Sequence, residues 1–466
     1  MKKLIVLPPL GLLLLAAGCS TAPTGDNALL WRMRHATILA ASGDHKASDK
    51  HWEVAQPAFE QAWENKRFLA RSHEGVMLYS YRMLGALHLG DVPEARRYLV
   101  CAMEFRDQVI AENTARVEKH KEAIERGRKL GATSDDEALV YAAVEDRQEE
   151  DMKQAKDETQ RQEVEAVRGD SFTLMGSVAD TIGKNRRQVE LEEDVGGYAN
   201  YANPLTSFLT YLFLKTQGTG KHLTDPNDAK RELDELSVYV PNNSVVRWAR
   251  ENNTLVRDDP FLGNSVFVFF ETGMSPRQVE RKIDIPFPNN FKYTKYLSYL
   301  GVAWPELVMN TNSVYQLRVS GGGREVLAEP LANFDSITKQ SFDDEWSGVL
   351  ARQIAQSIAV AAINVGLNIA IEKTLKEEWQ KVLAKVASAA LCSAMIGAET
   401  RSWELLPKRV LVTRLDIPGD RKLTLSFPDG TWRQDITLGA GDVMAVWVKS
   451  TSPWQPAPVV TQFKFK

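Results

Sequence analysis

Cys19 is the residue whose type and setting most directly imply chemistry. It follows Leu15-Ala16-Ala17-Gly18, and before these Lys2 and Lys3 open an apolar run from Leu4 to Leu15. That run is too short, and too interrupted by Pro8 and Pro9, for a stable spanning helix, so it reads as a secretory signal. A signal ending in small residues and then cysteine is the bacterial lipobox: the thiol is acylated, the chain is cut before it, and the acyl chains hold the product to a bilayer. Ser20 rather than Asp follows, which in two-membrane bacteria sorts the product to the outer membrane. The expectation is a signal over 1–18, a lipidated tether over 19–27 and an anchor on the periplasmic face of that membrane.

Other spacings that could do chemistry are weaker. Ser336 and Lys339 form the S-x-x-K of penicillin-recognising serine enzymes, but the companion triads of that class are missing, and the pair recurs by chance in 466 residues. His45 and His51 have no third ligand in reach, and all seven histidines precede residue 223, so the C-terminal half has no imidazole for a zinc site or a Ser-His dyad. Gly321-Gly322-Gly323 runs into Arg324-Glu325-Val326 rather than a helix opening with Lys and Ser or Thr, so the amide cradle for phosphate is absent. Cys101 and Cys392 lie too far apart for a disulfide framework. A net charge of −4 gives no reason to expect nucleic acid. No enzyme, no cofactor and no metal are expected.

The elements that would carry a function fall into two parts, 28–258 and 259–466. The first is helical in pattern. Ala55, Phe59 and Ala62, then Ala95, Leu99 and Ala102, then Ala229, Leu233 and Leu236 repeat one spacing of four and three, on helices that follow turns at Ser42-Gly43-Asp44, Gly90-Asp91 and Gly218–Gly220. This is the spacing of tetratricopeptide (TPR) helix hairpins; a non-repeating bundle is the alternative. Between the second and third hairpins, residues 104–170 read as a charged helical arm. Ile110, Val117 and Ile124 recur every seven residues, and a return stripe carries Leu139, Val144, Met152, Ala155 and Thr159. Its acidic face is either solvated or meets a basic partner.

After Pro260 the period becomes extended. Val266–Glu271 reads as a buried strand; Val302–Met309, Tyr315–Val319 and Glu325–Ala328 continue the pattern, and five more strands close the chain between Arg409 and Phe465. Pro428-Asp429-Gly430 supplies a hairpin turn. Helices over 335–397 interrupt these strands. Within the first, Gln353 to Ile371 holds no charge, yet Gln353, Gln356, Asn364 and Asn368 would be costly in lipid. Burial against the sheet is the first expectation, with a subunit interface or membrane insertion as alternatives. The fold class is α+β: a helical-hairpin (TPR-like) array with a long charged arm, then a mostly antiparallel β module with an inserted helix pair.

The lipobox, Tyr201-Ala202-Asn203-Pro204 with Phe208–Phe213, and Glu399-Thr400-Arg401-Ser402-Trp403 with Leu406-Pro407 together resemble a family of uncharacterised bacterial outer-membrane lipoproteins. Members have TPR-like N-terminal halves and are often encoded beside lipoproteins that activate penicillin-binding proteins. The family pattern has Asp where this chain has Glu399. The lipid anchor, the helical-hairpin array and the lack of a catalytic constellation point to a protein-binding scaffold or assembly factor in the cell envelope; the resemblance brings no activity and suggests a setting in peptidoglycan synthesis. Tyr201, Asn203, Arg401 and Trp403 become candidate partner-binding residues; for Arg401 and Trp403 the other reading is a structural corner in which the guanidinium bonds backbone carbonyls. The expected partners are the membrane, through the lipid on Cys19, and envelope proteins, with self-association into a homo-oligomer. An oligomeric export component and an envelope serine hydrolase are the alternatives.

Overall fold

The computed structural model describes residues 26–64, 72–132, 203–217, 228–252, 263–285, 294–452 and 457–466, with scattered positions between 134 and 149 and between 178 and 185. The signal and Cys19, Tyr201, the Gly218–Gly220 turn and the arm's return stripe from Val144 onward lie outside the described residues. The fold is α+β, a helical N-terminal half followed by a mostly antiparallel sheet module.

Two local rules build the helices. A glycine that takes positive φ ends one helix, and an acidic or amide side chain caps the next. Helices α1 (Asp26–Ala41) and α2 (His45–Glu64) meet at Gly43, φ 86°, and Asp44, whose Oδ1 accepts from the Ala47 amide at 3.0 Å. Helices α3 (Ser72–Leu89) and α4 (Val92–Lys129) repeat this at Gly90, φ 76°, and Asp91, which caps the Glu94 amide at 3.1 Å. Asn203 caps α5 (Pro204–Gln217), which pairs with α6 (Asp228–Tyr239); Asn243 caps α7 (Ser244–Glu251). The three expected triplets, from Ala55 to Leu236, are all buried.

The first half of α4 packs on α3, and the rest runs on into the arm. Arg126 holds Asp146 at 2.7 Å and Arg128 holds Asp135 at 2.6 Å, so the chain turns back along α4 as expected. Val117 is nonetheless 45% exposed, so the seven-residue stripe is not a continuous buried seam.

Among the described residues eleven strands follow in three sheets. The largest joins β1 (Ser265–Thr272), β6 (Glu329–Asn333), β7 (Arg409–Asp416), β10 (Val443–Ser450) and β11 (Val459–Lys464) in the order β11-β10-β1-β7-β6. Only β1 and β10 run parallel there, with Phe269 opposite Trp447. A second sheet has the order β5-β4-β8-β9, from β4 (Arg318–Gly321), β5 (Arg324–Leu327), β8 (Lys422–Ser426) and β9 (Arg433–Thr437). A two-stranded ribbon pairs β2 (Arg277–Asp284) with β3 (Gly301–Val308). Sequence reading missed β2, whose RQVERKID is mostly charged, and the short β6.

Alternation along β1 explains the layering. Phe267 and Phe269 share a core with Phe59, Leu99, Phe208 and Leu233 of the helices, whereas Val266, Val268 and Phe270 share one with Val319, Leu423 and Leu425 of the four-stranded sheet. Helices, five-stranded sheet and four-stranded sheet therefore form three layers. The main core draws residues from both expected parts, 28–258 and 259–466.

Helix α8 (Phe334–Thr374) leaves the large sheet at Asn333, which caps it, and a buried ion pair of Asp335 with Lys408 at 2.8 Å fixes its first turn. It then packs along β3 and returns as α9 (Glu378–Met395). The expected burial of 353–371 is half correct: Ile354, Ile358, Ala361 and Val365 pack with Trp304, while Ile363 and Leu367 face out.

Trp403 is 1% exposed and packs edge-on to Trp52 at 5.5 Å and against Tyr81 at 5.8 Å, joining the loop before β7 to the helices. Trp403→Ala is expected to lower stability by about 3–5 kcal/mol. Urea unfolding followed by far-ultraviolet circular dichroism and by tryptophan fluorescence should give coincident transitions, because helices and sheet share that core.

Candidate functional site

Two places gather residues with chemical or binding capacity. The first is a cleft between α1, α2, α3 and the large sheet, of about 470 Å³ with its open mouth, lined by Thr37, His45, Tyr81, His88, Glu271 and Lys449 among others. Glu271 and Lys449, opposite each other on β1 and β10, form a buried ion pair at 2.8 Å, and the Tyr81 hydroxyl donates to Glu271 at 3.0 Å. Burial, then the neighbouring carboxylate, pushes the Tyr81 hydroxyl well above the usual tyrosine range.

His45 and His88 stack with ring centroids 3.9 Å apart. The Leu84 carbonyl can only accept, so His88 donates to it from Nδ1 at 2.8 Å, and Nε2 accepts from the Thr461 hydroxyl at 2.9 Å. A hydroxyl, an imidazole and an orienting carbonyl in line resemble a nucleophile with its base. The electrostatics oppose that role: burial, then the adjacent His45, pushes the His88 imidazole down to about 3, too weak a base to draw a proton from an alcohol near neutral pH. His45 is lowered too, by burial, although Asp44 pulls the other way. What the stack does is fasten β11 to α3 through neutral hydrogen bonds. Sequence reading placed every histidine before residue 223 and did not see that folding brings His88 onto the last strand.

The second place is the α8–α9 pair, and its polarity is inverted. Asn364 on α8 accepts at Oδ1 from the Ser298 amide at 2.7 Å and the Tyr299 amide at 3.2 Å, and donates from Nδ2 to Ser388 on α9 at 2.8 Å. Asn368 donates to the Tyr296 carbonyl at 2.7 Å and the Ser298 hydroxyl at 2.9 Å. Lys385 and Lys381 of α9 hold Glu372 of α8 at 2.6 and 3.3 Å. Small and polar groups thus fill the seam, with Ser388 and Cys392 the buried positions of α9. Trp379, Val382, Leu383, Val386, Leu391 and Met395 point outward, 42–65% exposed. Ile363 and Leu367 of α8 are also exposed, at 43% and 37%. If a fully exposed large side chain offers roughly 150–250 Å², the six on α9 expose on the order of 700 Å². The largest apolar patch on an ordinary monomer is roughly 300–600 Å².

The residues singled out from sequence sit elsewhere. Asn203, 4% exposed, caps α5 and donates to Met77 Sδ at 3.0 Å. The Trp403 amide donates to the buried Glu74 carboxylate at 2.8 Å, and Arg34 reaches Glu404 at 2.9 Å. Asn203 and Trp403 are both buried within this chain's own fold. Half-buried Arg401 donates from Nε to Glu399 at 2.6 Å, so its guanidinium is paired within its own loop. Lys339 pairs with Asp343 one turn on, while Ser336 is 2% exposed in the first turn of α8. Among the described residues no group of three His, Cys, Asp or Glu is placed to hold a metal ion. No family model, curated protein or solved structure matches this chain.

Two outcomes follow from this geometry. His88 and His45 bind protons less readily folded than unfolded, so the stability they confer is complete above pH 6.5 and is lost as pH falls below it, for His88 down toward 3. For His88 the slope is about 1.4 kcal/mol per pH unit, and His88→Gln should flatten the pH dependence of urea midpoints measured below neutrality. Asn364→Leu strands the Ser298 and Tyr299 amides at a cost of about 1–3 kcal/mol each. Hydrogen exchange should then quicken in α9 and not in β1.

Proposed function

We propose that this chain is a lipid-anchored protein of the bacterial cell envelope that acts by binding other proteins, as a scaffold or assembly factor at the periplasmic face of the outer membrane. The lipobox at Cys19 supports the anchor. The observation that carries the binding role is the outward apolar face of α9: an eighteen-residue helix turns its polar side to its own fold and its large apolar side to the exterior. Water disfavours that orientation unless another apolar surface covers it.

TPR-like arrays usually bind partners on their concave face. Here the helices spend apolar side chains on this chain's own sheet, Phe208 against Phe267 at 5.9 Å and Trp248 against Phe267 at 6.2 Å. The binding surface is therefore assigned to the α8–α9 pair, with the acidic arm as a further contact for a basic partner. The setting in peptidoglycan synthesis belongs to the same proposal and rests on the family resemblance.

Two measurements test it. Labelled palmitate should enter the full chain and fail to enter Cys19→Ala. A photo-crosslinking residue at position 382, on the outer face of α9, should join a discrete protein in living cells, and Val386→Glu should abolish that product. No lipid at Cys19, or no crosslinked protein from α9, overturns the proposal.

A further inference from the structure

We infer that the surface covering α9 is a second copy of this chain, docked about a two-fold axis near Ala387. The inference rests on the reading of the α8–α9 face as a protein-binding surface and names its occupant.

The outer face of α9 consists of two adjacent rows at four-residue spacing, every member exposed. One row is Trp379, Leu383, Ala387, Leu391 and Met395; the other is Val382, Val386, Ala390 and Ala394. Rows at i±4n are the ridges that interdigitate when two helices cross at about −50°. The first row is large at both ends and small in the middle, and the second shrinks from valine to alanine along the helix. A two-fold axis through Ala387 sets Ala387 and Ala390 of the two copies at the crossing, where the backbones must come closest. It also sets Trp379 and Leu383 of one copy toward Leu391 and Met395 of the other. One surface thus supplies both the ridge and the groove it fits, as an isologous contact requires.

Area and charge agree. The exposed apolar surface of α9, on the order of 700 Å², falls in the range each partner contributes to an interface of standard size, about 600–1,000 Å². From Trp379 to Met395 the outward positions carry no charge, so two copies meet without repulsion and without buried unpaired ions. The antiparallel arrangement brings the N-terminal end of each α9 toward the C-terminal end of the other, which the helix dipoles favour. A bilayer has no shape to match, so a graded pair of ridges confers nothing there. The sequence also holds Lys376, Glu377 and Glu378 at the Trp379 end, with both signs present and no cluster of cations for anionic lipid.

The test uses the full chain in intact cells. Ala387→Cys should give, on mild oxidation, a disulfide-linked product of twice the chain mass. The parent chain, with Cys101 and Cys392, and Asp429→Cys on a distant exposed turn should not. Adding Leu391→Glu should lower the Ala387→Cys product by about tenfold or more, since a charge would be buried unpaired in each half of the contact. Leu391 is 55% exposed, so an unchanged circular dichroism spectrum for Leu391→Glu at room temperature shows that folding is intact. The inference is overturned if Ala387→Cys crosslinks no more than Asp429→Cys, if Leu391→Glu leaves the product unchanged, or if the product contains a different protein. It is also overturned if a fluorophore attached to the thiol of the Ala387→Cys variant reports insertion into phosphatidylethanolamine–phosphatidylglycerol vesicles with no doubled mass. A different protein at position 387 sinks this inference and leaves the scaffold proposal standing; no protein from either position 382 or 387 sinks both.

Discussion

β1 has no face to give to water. All eight of its residues are buried, and the side chains that alternate along it are large on both sides, so a layer must cover each face. The helices cover one and the four-stranded sheet the other, and the rest of the architecture follows from that demand. Its two hydrogen-bonding edges are taken by β10, parallel, and β7, antiparallel, which brings chain segments nearly two hundred residues apart into one ladder. The single acid on β1 is admitted because Lys449 sits opposite it in that ladder and Tyr81 reaches it from the helical layer. A buried carboxylate without such partners would be far more costly than the pair.

The joint between helices and sheet is therefore a packed interior and not a linker. Trp403 and the backbone around it are drawn into the helical layer by Trp52, Tyr81, Glu74 and Arg34. At the other end of the same face His88 reaches across to Thr461. Both contacts use groups that could serve a site, and both spend them on docking one layer against another.

The α8–α9 pair obeys the opposite logic. Its polar groups are internal and matched to one another: one asparagine side chain serves two backbone amides and a serine of the neighbouring helix. Once those groups are satisfied inside, the large aliphatic side chains of α9 have only the outside left. The hydrogen-bonded seam fixes the rotation of α9 about its own axis, and that rotation creates the apolar surface on which the functional proposal depends.

The sequence by itself determined most of the elements and their punctuation, though not the charged β2 or the short β6. Gly43-Asp44 and Gly90-Asp91 end one helix and cap the next by local chemistry, Asp429-Gly430 closes a hairpin by allowing positive φ, and Val266–Phe270 has a composition that only a doubly covered strand can carry. Such signals act within a few residues, so they are readable without the fold. Only the tertiary structure decided which way an amphipathic stripe faces. Periodicity shows that Trp379, Val382, Leu383 and Val386 share a side of α9, yet it does not say whether that side goes in or out; that depends on Asn364, Ser298 and Glu372, which lie elsewhere in the chain. The same holds for Asn203 and Trp403, whose residue types suit recognition but whose partners, Met77 and Trp52, are brought to them by the packing of layers. Burial is a property of the assembled core, and no local window of sequence contains it.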